Sequence, residues 1–338
     1  MFVTHAPYSA ATLDDYRSLI GDDVVSRLRE RADRMRGLRV LHINATLVGG
    51  GVSEILLSLI PMMRDAGICA DWYVMDGSDA FFEVTKRFHN ALQGAPTLWA
   101  RRYLEIYHRG NEENLASLGQ RVEDYDVVVV HDPQPLALRS LMPRHRGVWI
   151  WRCHLDLTAP NAHYWAALSP YLAGYDAAVF STPEYVPAEL TPPAVTALPC
   201  IDAFRPKNTP IEPSEVARVL GRYGVDPERP YLLQVSRFDP WKDPIGVVDV
   251  YRHAKAVHPD LQLVYMASMA ADDPEGRRVY EQVRSAAGDD PDIKLLALDV
   301  PPHRADDNAR EVNAMQSGAR VVLQKSIREG FGLTVTEA

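Results

Sequence analysis

The sequence predicts an α/β protein of two doubly wound domains, each a parallel sheet flanked by helices. Three observations carry this. Short β-rich runs alternate with helix-length stretches along the chain, the pattern of a parallel sheet with crossover helices. Two of the runs, "VVVV" (127–130) and "VWIW" (148–151), are apolar without alternation, as strands covered on both faces are. The alternation stops near residue 200 in a proline-rich stretch with no period, then begins again.

The elements follow in order. Residues 12–36 read as one amphipathic helix with Leu13, Tyr16, Leu19, Val24, Leu28 and Met35 on or near one face, ended by Gly37. The strand "RVLHIN" (Arg39–Asn44) leads through a glycine turn into a helix from about Val52, with Val52, Ile55, Leu56, Leu59 and Met63 as its buried stripe. "DWYVMDG", "YDVVVVHD", "GVWIWRCH" and "YDAAVFS" are the next strands. The tract "LPCIDAFRPKNTPIEPSEVARVL" reads as a linker, and places the boundaries at 1–200 for the first domain, 201–212 for the linker and 213–338 for the second. "YLLQVSRF" is a strand, and Asp243-Pro244 opens a helix with an N-cap followed by a first-turn proline. "LQLVYMAS", "IKLLAL" and "ARVVLQ" are strands, with "DPEGRRVYEQVRSAA" and "DDNAREVNAMQSG" as the helices between them. Two such domains on a hinge predict a cleft between them. The second reads as incomplete: four strands are visible where open sheets of this type carry about five or six, and the helix opened by Leu333 runs one turn.

Composition narrows the function. The chain has 338 residues, a length suited to two domains, and 46% of them are hydrophobic, enough for large cores. A net charge of -9 argues against a general nucleic-acid binder, though not against a local basic site for a small anion. Cys69, Cys153 and Cys200 are too few and too scattered for a disulfide framework or a metal site, which points to a reducing cytoplasm. The start, "MFVTHAPYSAATLDDYRS", lacks a basic-then-apolar signal pattern, and no apolar run approaches the roughly 20 residues that span a bilayer. A soluble cytoplasmic protein without nucleic-acid or membrane partners is expected, with the N-terminal helix as a surface on which a homodimer could form.

Five groups of residues could carry chemistry. Gly49-Gly50-Gly51 lets the backbone approach a ligand at the start of a helix; a tight strand-to-helix turn explains it equally well, since G-x-G-x-x-G and the Walker lysine are missing. Arg237 and Lys242 flank the C-terminal end of a strand and a helix start, where a fork-shaped and a compact cation suit a diphosphate; the alternative is two solvated surface cations. In "REGFGLTVTEA", Gly330 and Gly332 free backbone N–H groups while Glu329 and Glu337 offer carboxylates for hydroxyls. The alternatives there are a surface loop glutamate and, for Glu337, compensation of a helix dipole in the first turn. His154 and Asp156 in "WRCHLDLTAPN" follow a strand, as His131-Asp132 do, so a polar pocket is expected in preference to a metal site, for which a third ligand at suitable spacing is missing. Asp124-Tyr125-Asp126 precedes its strand and reads as a connection on the opposite edge.

Together these pieces resemble the nucleotide-sugar glycosyltransferases of the GT-B type, family 4 of the retaining enzymes. Gly49-Gly50-Gly51, Ser236-Arg237 with Lys242, and Glu329 with Glu337 carry the resemblance, and the E-x7-E spacing around Gly-Phe-Gly is its most specific part. More closely, "LHINATLVGGGVSEILLSLIPMMRDAGICADWYVMDG", "WIWRCHLDLTAPN" and "LQKSIREGFGLTVTEA" resemble the glycosyltransferring trehalose synthases, over the chain from about residue 12 onward.

The resemblance implies a GT-B fold of two Rossmann-like domains facing across a cleft, the first for the acceptor and the second for the donor. It implies reversible glucosyl transfer from a nucleoside diphosphate glucose to glucose, giving α,α-trehalose with retention. Arg237 and Lys242 would neutralise the departing diphosphate. Glu329 would hold donor-glucose hydroxyls, with Gly330, Phe331, Gly332, Leu333 and Thr334 lining the donor and Phe331, Gly332 and Leu333 lending backbone N–H groups. Glu337 would take the ribose, Ser236 and the Gly49–Gly51 loop the donor side, and His154 with Asp156 the acceptor sugar. Family members need no metal or other cofactor, and hinge closure near residue 200 would complete the site. They also continue through further strands and a final helix that packs back on the first domain. Three alternatives stand beside this: a phosphorylase using inorganic phosphate, a transferase with another acceptor such as a sugar phosphate, and a non-catalytic nucleotide-sugar binding fragment. A phosphate acceptor would want clustered basic residues, and Arg139 and Arg152 are not clustered in the sequence.

Overall fold

All ten strands of the computed structural model, which describes residues 1–3, 11–47, 50–142, 144–268, 274–298 and 304–338, pair in parallel within two sheets. The chain divides into two units, Met1–Pro199 and Cys200–Ala338, with one sheet in each.

The first unit contains β1 (Arg39–Asn44), β2 (Cys69–Val74), β3 (Val127–His131), β4 (Val148–Arg152), β5 (Ala177–Phe180) and β6 (Ala194–Thr196), in the spatial order β2-β1-β3-β4-β5-β6. Parallel neighbours need long connections, and helices Gly51–Asp65, Asp79–Leu92, Arg102–Leu118 and Ala162–Leu168 supply them. Val127 faces Val148 and His131 faces Arg152 in the β3–β4 register, so these two strands end together. Their inward side chains, Val128, Val130, Trp149 and Trp151, are fully buried in one core with Phe81, Phe88, Tyr107 and Tyr164. Phe88 meets Tyr107 tilted at 5.1 Å and Trp99 meets Tyr164 edge-on at 5.0 Å, arrangements that aromatic quadrupoles favour.

In the second unit β7 (Tyr231–Val235), β8 (Gln262–Ser268), β9 (Ile293–Leu298) and β10 (Val321–Val322) lie in the order β10-β7-β8-β9. Helices Pro244–Lys255 and Pro274–Ala287 pack through Val247, Val248, Tyr251, Val279 and Val283 on one face of the sheet. Helices Pro213–Arg222 and Ala305–Gly318 pack through Val219, Leu220, Val312 and Met315 in the second core of this unit.

Several local expectations are corrected. The helix expected over 12–36 is two, Arg17–Ile20 and Asp22–Asp33, broken at Gly21, whose φ of +83° no helix tolerates. Its buried side is Leu13, Val25 and Ala32, while Leu19, Leu28 and Met35 are exposed. The packing follows the anchor of Arg29, which donates to Asp65 and Asp14 at 3.0 Å each. In helix Gly51–Asp65 the buried residues are Ser53, Leu56, Leu57 and Ile60, one step round from the expected stripe, and Leu59 is exposed. β3 and β4 alternate between buried and half-buried or exposed positions, with Val148 at 44% exposure, so neither is covered equally on both faces. β6 and helix Pro213–Arg222 were hidden in proline-rich sequence; the helix carries its proline at the first position, where a missing N–H costs nothing. The stretch 201–212 is tied to the second unit by Asn313, whose amide donates to the carbonyls of Pro206 and Thr209 at 3.0 and 2.6 Å.

Gly110, inside helix Arg102–Leu118, shows how closely the first core is packed: a Cβ there would lie 2.1 Å from the ring of the fully buried Phe81. Gly110→Ala should therefore destabilise the protein by about 1–3 kcal/mol despite alanine's better helix propensity, because the overpacked ring has no room to turn. Chemical denaturation of the two proteins measures it, and an unchanged or raised midpoint contradicts the packing described.

Candidate active site

Strand order reverses once in each sheet, between β7 and β10 in the second unit and between β1 and β3 in the first. At such a point the loops leaving neighbouring C-terminal strand ends diverge and open a crevice for ligands. The described residues of the expected site lie on the chain that leaves β1 and β4 in the first unit and β7 and β10 in the second.

In the second unit the parallel pairing of β7 runs one residue further, as Ser236 donates its N–H to Met266 at 3.2 Å. The chain then turns sharply. Asp239 caps the turn by accepting from the Trp241 N–H at 2.9 Å, and buried Gln234 donates to the Lys242 carbonyl at 2.9 Å. Asp243 adopts the left-handed conformation, φ +45°, and caps helix Pro244–Lys255 by accepting from the Gly246 N–H at 3.2 Å. Polar short side chains tolerate that backbone best, which explains aspartate there. From the other side of the reversal, Leu323 donates to the Leu233 carbonyl at 2.7 Å and Ile327 to that of Trp241 at 2.8 Å, binding the loop after β10 to the turn after β7.

This backbone zipper brings Lys242 and Glu329 together. The ammonium forms an ion pair with Glu329 Oε2, which also accepts from Gln324 Nε2 at 2.7 Å and Ser326 Oγ at 3.1 Å. The two side chains are 22% and 28% exposed, so Lys242 is no solvated surface cation and Glu329 no free loop glutamate. Beside them Lys325 pairs with Asp243. Arg237 differs: it is 49% exposed and reaches Asp239 at 3.5 Å. Gly332, at φ +85° and ψ +56°, starts helix Leu333–Glu337, with Gly330 buried ahead of it and Phe331, Leu333 and Thr334 half-buried. Glu337 lies past the first turn of that helix. Its side chain, 2% exposed, pairs with Lys207 at 2.9 Å, so an ammonium and not a helix dipole meets the carboxylate.

In the first unit Gly49 lies outside the described residues. Gly50 precedes helix Gly51–Asp65 in an extended conformation, φ -148° and ψ 153°, and a Cβ on it would meet nothing closer than Thr46 Oγ1 at 3.8 Å. The protein's own packing thus does not require a glycine at 50. Across β1, β3 and β4 runs a row of three histidines. His42 Nδ1 lies 3.0 Å from His131 Nε2, and His131 Nδ1 lies 3.0 Å from His154 Nε2; both ring pairs are stacked at 5.3 Å. Asp132, at φ +62°, accepts the His154 backbone N–H at 2.8 Å, and its carbonyl takes the Trp151 indole N–H at 3.0 Å. Asp156 is buried and accepts from the Thr158 N–H and hydroxyl at 2.9 and 2.6 Å. Burial holds His42 down to about 4 and, with the Arg152 charge, His154 to about 3. Burial, then its two histidine neighbours and Arg152, hold His131 well below the usual histidine range, and burial pushes Asp132 up to about 7.

The polar residues expected at the ends of β3 and β4 form a buried cluster of neutral imidazoles. His42 was missed because a lone histidine inside an apolar strand carries no site signal; Gln324, Ser326 and Lys325 were missed because polar loop residues are ordinary. Arg139 and Arg152 are occupied with backbone, Arg139 donating to the Gly174 carbonyl at 2.8 Å and Arg152 to that of Phe180 at 3.2 Å. Asp126 accepts from the Arg39 N–H at 2.8 Å, on the edge opposite the site. Among the described residues no group of three or more His, Cys, Asp or Glu side chains could hold a metal ion, and no helix is long and apolar enough to cross a membrane.

The family model "Trehalose synthase, N-terminal domain" matches residues 42–187. A trehalose synthase of Rubrobacter xylanophilus is 49% identical over 96% of this chain and 78% of its own length. One from Pyrococcus horikoshii is 45% identical over 96% and 77%. A solved trehalose-6-phosphate synthase superposes with a TM-score of 0.68 at 14% identity, over 88% of this chain and 81% of its own, a likeness of fold.

Histidines held neutral inside the fold make the protein acid-sensitive. Between pH 6.5 and about 4 the unfolded chain takes up a proton at His42 that the folded protein refuses, so His42 contributes stability that falls as pH drops through this window; Asp132, raised in the folded state, acts in the opposite sense. His42→Phe should flatten the decline between pH 7 and pH 4 by on the order of 3 kcal/mol. Denaturation midpoints at the two pH values check this, and parallel declines in both proteins refute it.

Proposed function

The chain belongs to the trehalose synthase family, and we propose that it transfers a glucosyl unit from a nucleoside diphosphate glucose to free glucose, reversibly, giving α,α-trehalose. As a glycosyltransferase of GT-B fold, it acts in trehalose-related glycosyl transfer. The observation that carries the finer reading is the pairing of Lys242 with Glu329 where β7 and β10 diverge, with Arg237 beside it on the same turn.

Lys242 and Glu329 suit two different parts of one donor. A diphosphate entering at the strand ends draws the ammonium from Glu329, since it carries more charge than one carboxylate. Arg237, whose contact to Asp239 is long, adds a forked donor. The released Glu329 oxygens, still oriented by Gln324 and Ser326, accept from hydroxyls of the glucosyl unit. Glu337 takes the ribose hydroxyls once its pairing with Lys207 opens, and the backbone N–H groups of Phe331, Gly332 and Leu333 face the donor. Ser236, Gly330 and Thr334 belong to the same donor side; donor binding is also assigned to Gly49, Gly50 and Gly51, and the acceptor glucose to His154 and Asp156.

The bond from the anomeric carbon to the diphosphate oxygen breaks as the acceptor oxygen attacks on the same face. The acceptor's hydroxyl proton passes to the departing diphosphate, so retention needs no carboxylate nucleophile. Arg237 and Lys242 neutralise the leaving group, so the transfer calls on no metal or other cofactor. Cytoplasmic nucleotide sugars are its substrates, and the three cysteines, all free, suit that compartment.

Sugar NMR of reactions with UDP-, ADP- or GDP-glucose and free glucose tests the reading, with α,α-trehalose and the free nucleoside diphosphate expected. Trehalose should give activated glucose with a nucleoside diphosphate and none with inorganic phosphate; the reverse pattern identifies a phosphorylase. Arg237→Ala and Lys242→Ala should each lower kcat by about 10²–10³, as loss of a donor aimed at developing charge does. Near-normal turnover in both overturns the phosphate assignment.

A further inference from the structure

We infer that His42 and His131 are positioning residues that fix His154 as a neutral Nδ1–H donor, through the hydrogen-bonded row that joins the three rings across β1, β3 and β4. A neutral imidazole carries one N–H and one lone pair. His131 uses both ring nitrogens in the row, Nε2 toward His42 and Nδ1 toward His154. It must donate through one and accept through the other, so the whole row has two states. In the first, each histidine carries its proton on Nδ1: His42 donates to His131, His131 to His154, and His154 is left with an Nδ1–H. In the second every proton sits on Nε2 and every bond is reversed.

The two states differ at the buried end. His42 Nε2 is enclosed and has no hydrogen-bond partner among the described residues. The second state would place a proton there, an orphaned buried donor of the kind folded proteins scarcely tolerate; the first leaves only a lone pair. The first state therefore prevails, and the direction set at His42 is relayed over two hydrogen bonds to His154. The row stays uncharged because burial opposes a proton on each of the three rings, and the neighbouring Arg152 charge adds to this at His131 and His154.

A chemical assignment follows, and it rests on the proposal that His154 contacts a sugar. With Nε2 accepting from His131, the ring has no lone pair left for a ligand. His154 cannot take a proton from an attacking hydroxyl. It donates from Nδ1 to a sugar oxygen, and the proton of the attacking hydroxyl goes elsewhere, in agreement with its passage to the departing diphosphate.

The test is ring-nitrogen NMR of the whole protein labelled with ¹⁵N-histidine at pH 7, with assignments from single-histidine variants. His42, His131 and His154 should each show a protonated, pyrrole-type Nδ1 and a pyridine-type Nε2, the minority tautomer of histidine in water. An Nε2–H form at His154 overturns the inference. In His131→Phe, His154 should return to a mixture dominated by Nε2–H; retention of the pure Nδ1–H form shows that the row does not control it and also overturns the inference. Transfer by His131→Phe should fall about tenfold, the rate equivalent of one neutral hydrogen bond, with binding of the nucleoside diphosphate alone unchanged by calorimetry. A switched tautomer with unaltered transfer supports the row and overturns the contact of His154 with substrate.

Discussion

Parallel strand pairing is the constraint from which the rest of this protein follows. Every strand of a sheet ends on the same edge, so the loops that leave the strands and the helices that follow them start there together. Where the order reverses, one connection departs to each side and the loops between them stay open to a ligand. In the second unit the reversal lies between β7 and β10, and the two loops are then joined by the Ile327 N–H and the Trp241 carbonyl. In the first unit the reversal lies between β1 and β3, and the histidine row runs across it. The aromatic core under β3 and β4 holds these strand ends in register, which keeps the rings of His131 and His154 stacked.

The two reversal points use opposite electrostatics. At β7 and β10 charge is kept and paired: Lys242 with Glu329, Lys325 with Asp243, and nearby Lys207 with Glu337. Ion pairs shielded from water in this way hold long side chains in one geometry. At β1, β3 and β4 charge is removed. Burial disfavours the imidazolium form, and the rings satisfy one another as neutral donors and acceptors.

Much of the fold was legible locally. Asp243-Pro244 announced a capped helix, and the structure has that helix, because a cap and its first turn lie within four residues. β3, β4, β7 and β8 were legible from apolar runs whose signal lies inside the run. The errors came where local pattern and packing part. Leu19, Leu28 and Met35 follow a helical period, yet Gly21 breaks the helix and the Arg29–Asp65 contact decides which side is covered. β6 has three residues and helix Pro213–Arg222 sits in proline-rich sequence, so neither had enough period to register.

By itself, the sequence determined two parallel α/β domains, the position of their strands, and the kinds of group at the strand ends: two cations after β7, two carboxylates eight positions apart after β10, and histidines after β3 and β4. Only the tertiary structure decided who meets whom. Lys242 and Glu329 are 87 residues apart and His42 and His131 are 89 apart. Their contacts arise from strand order, and strand order is set by which sheet edge each returning strand finds buried. That choice depends on the packing of the whole unit and leaves no mark within any single stretch of chain.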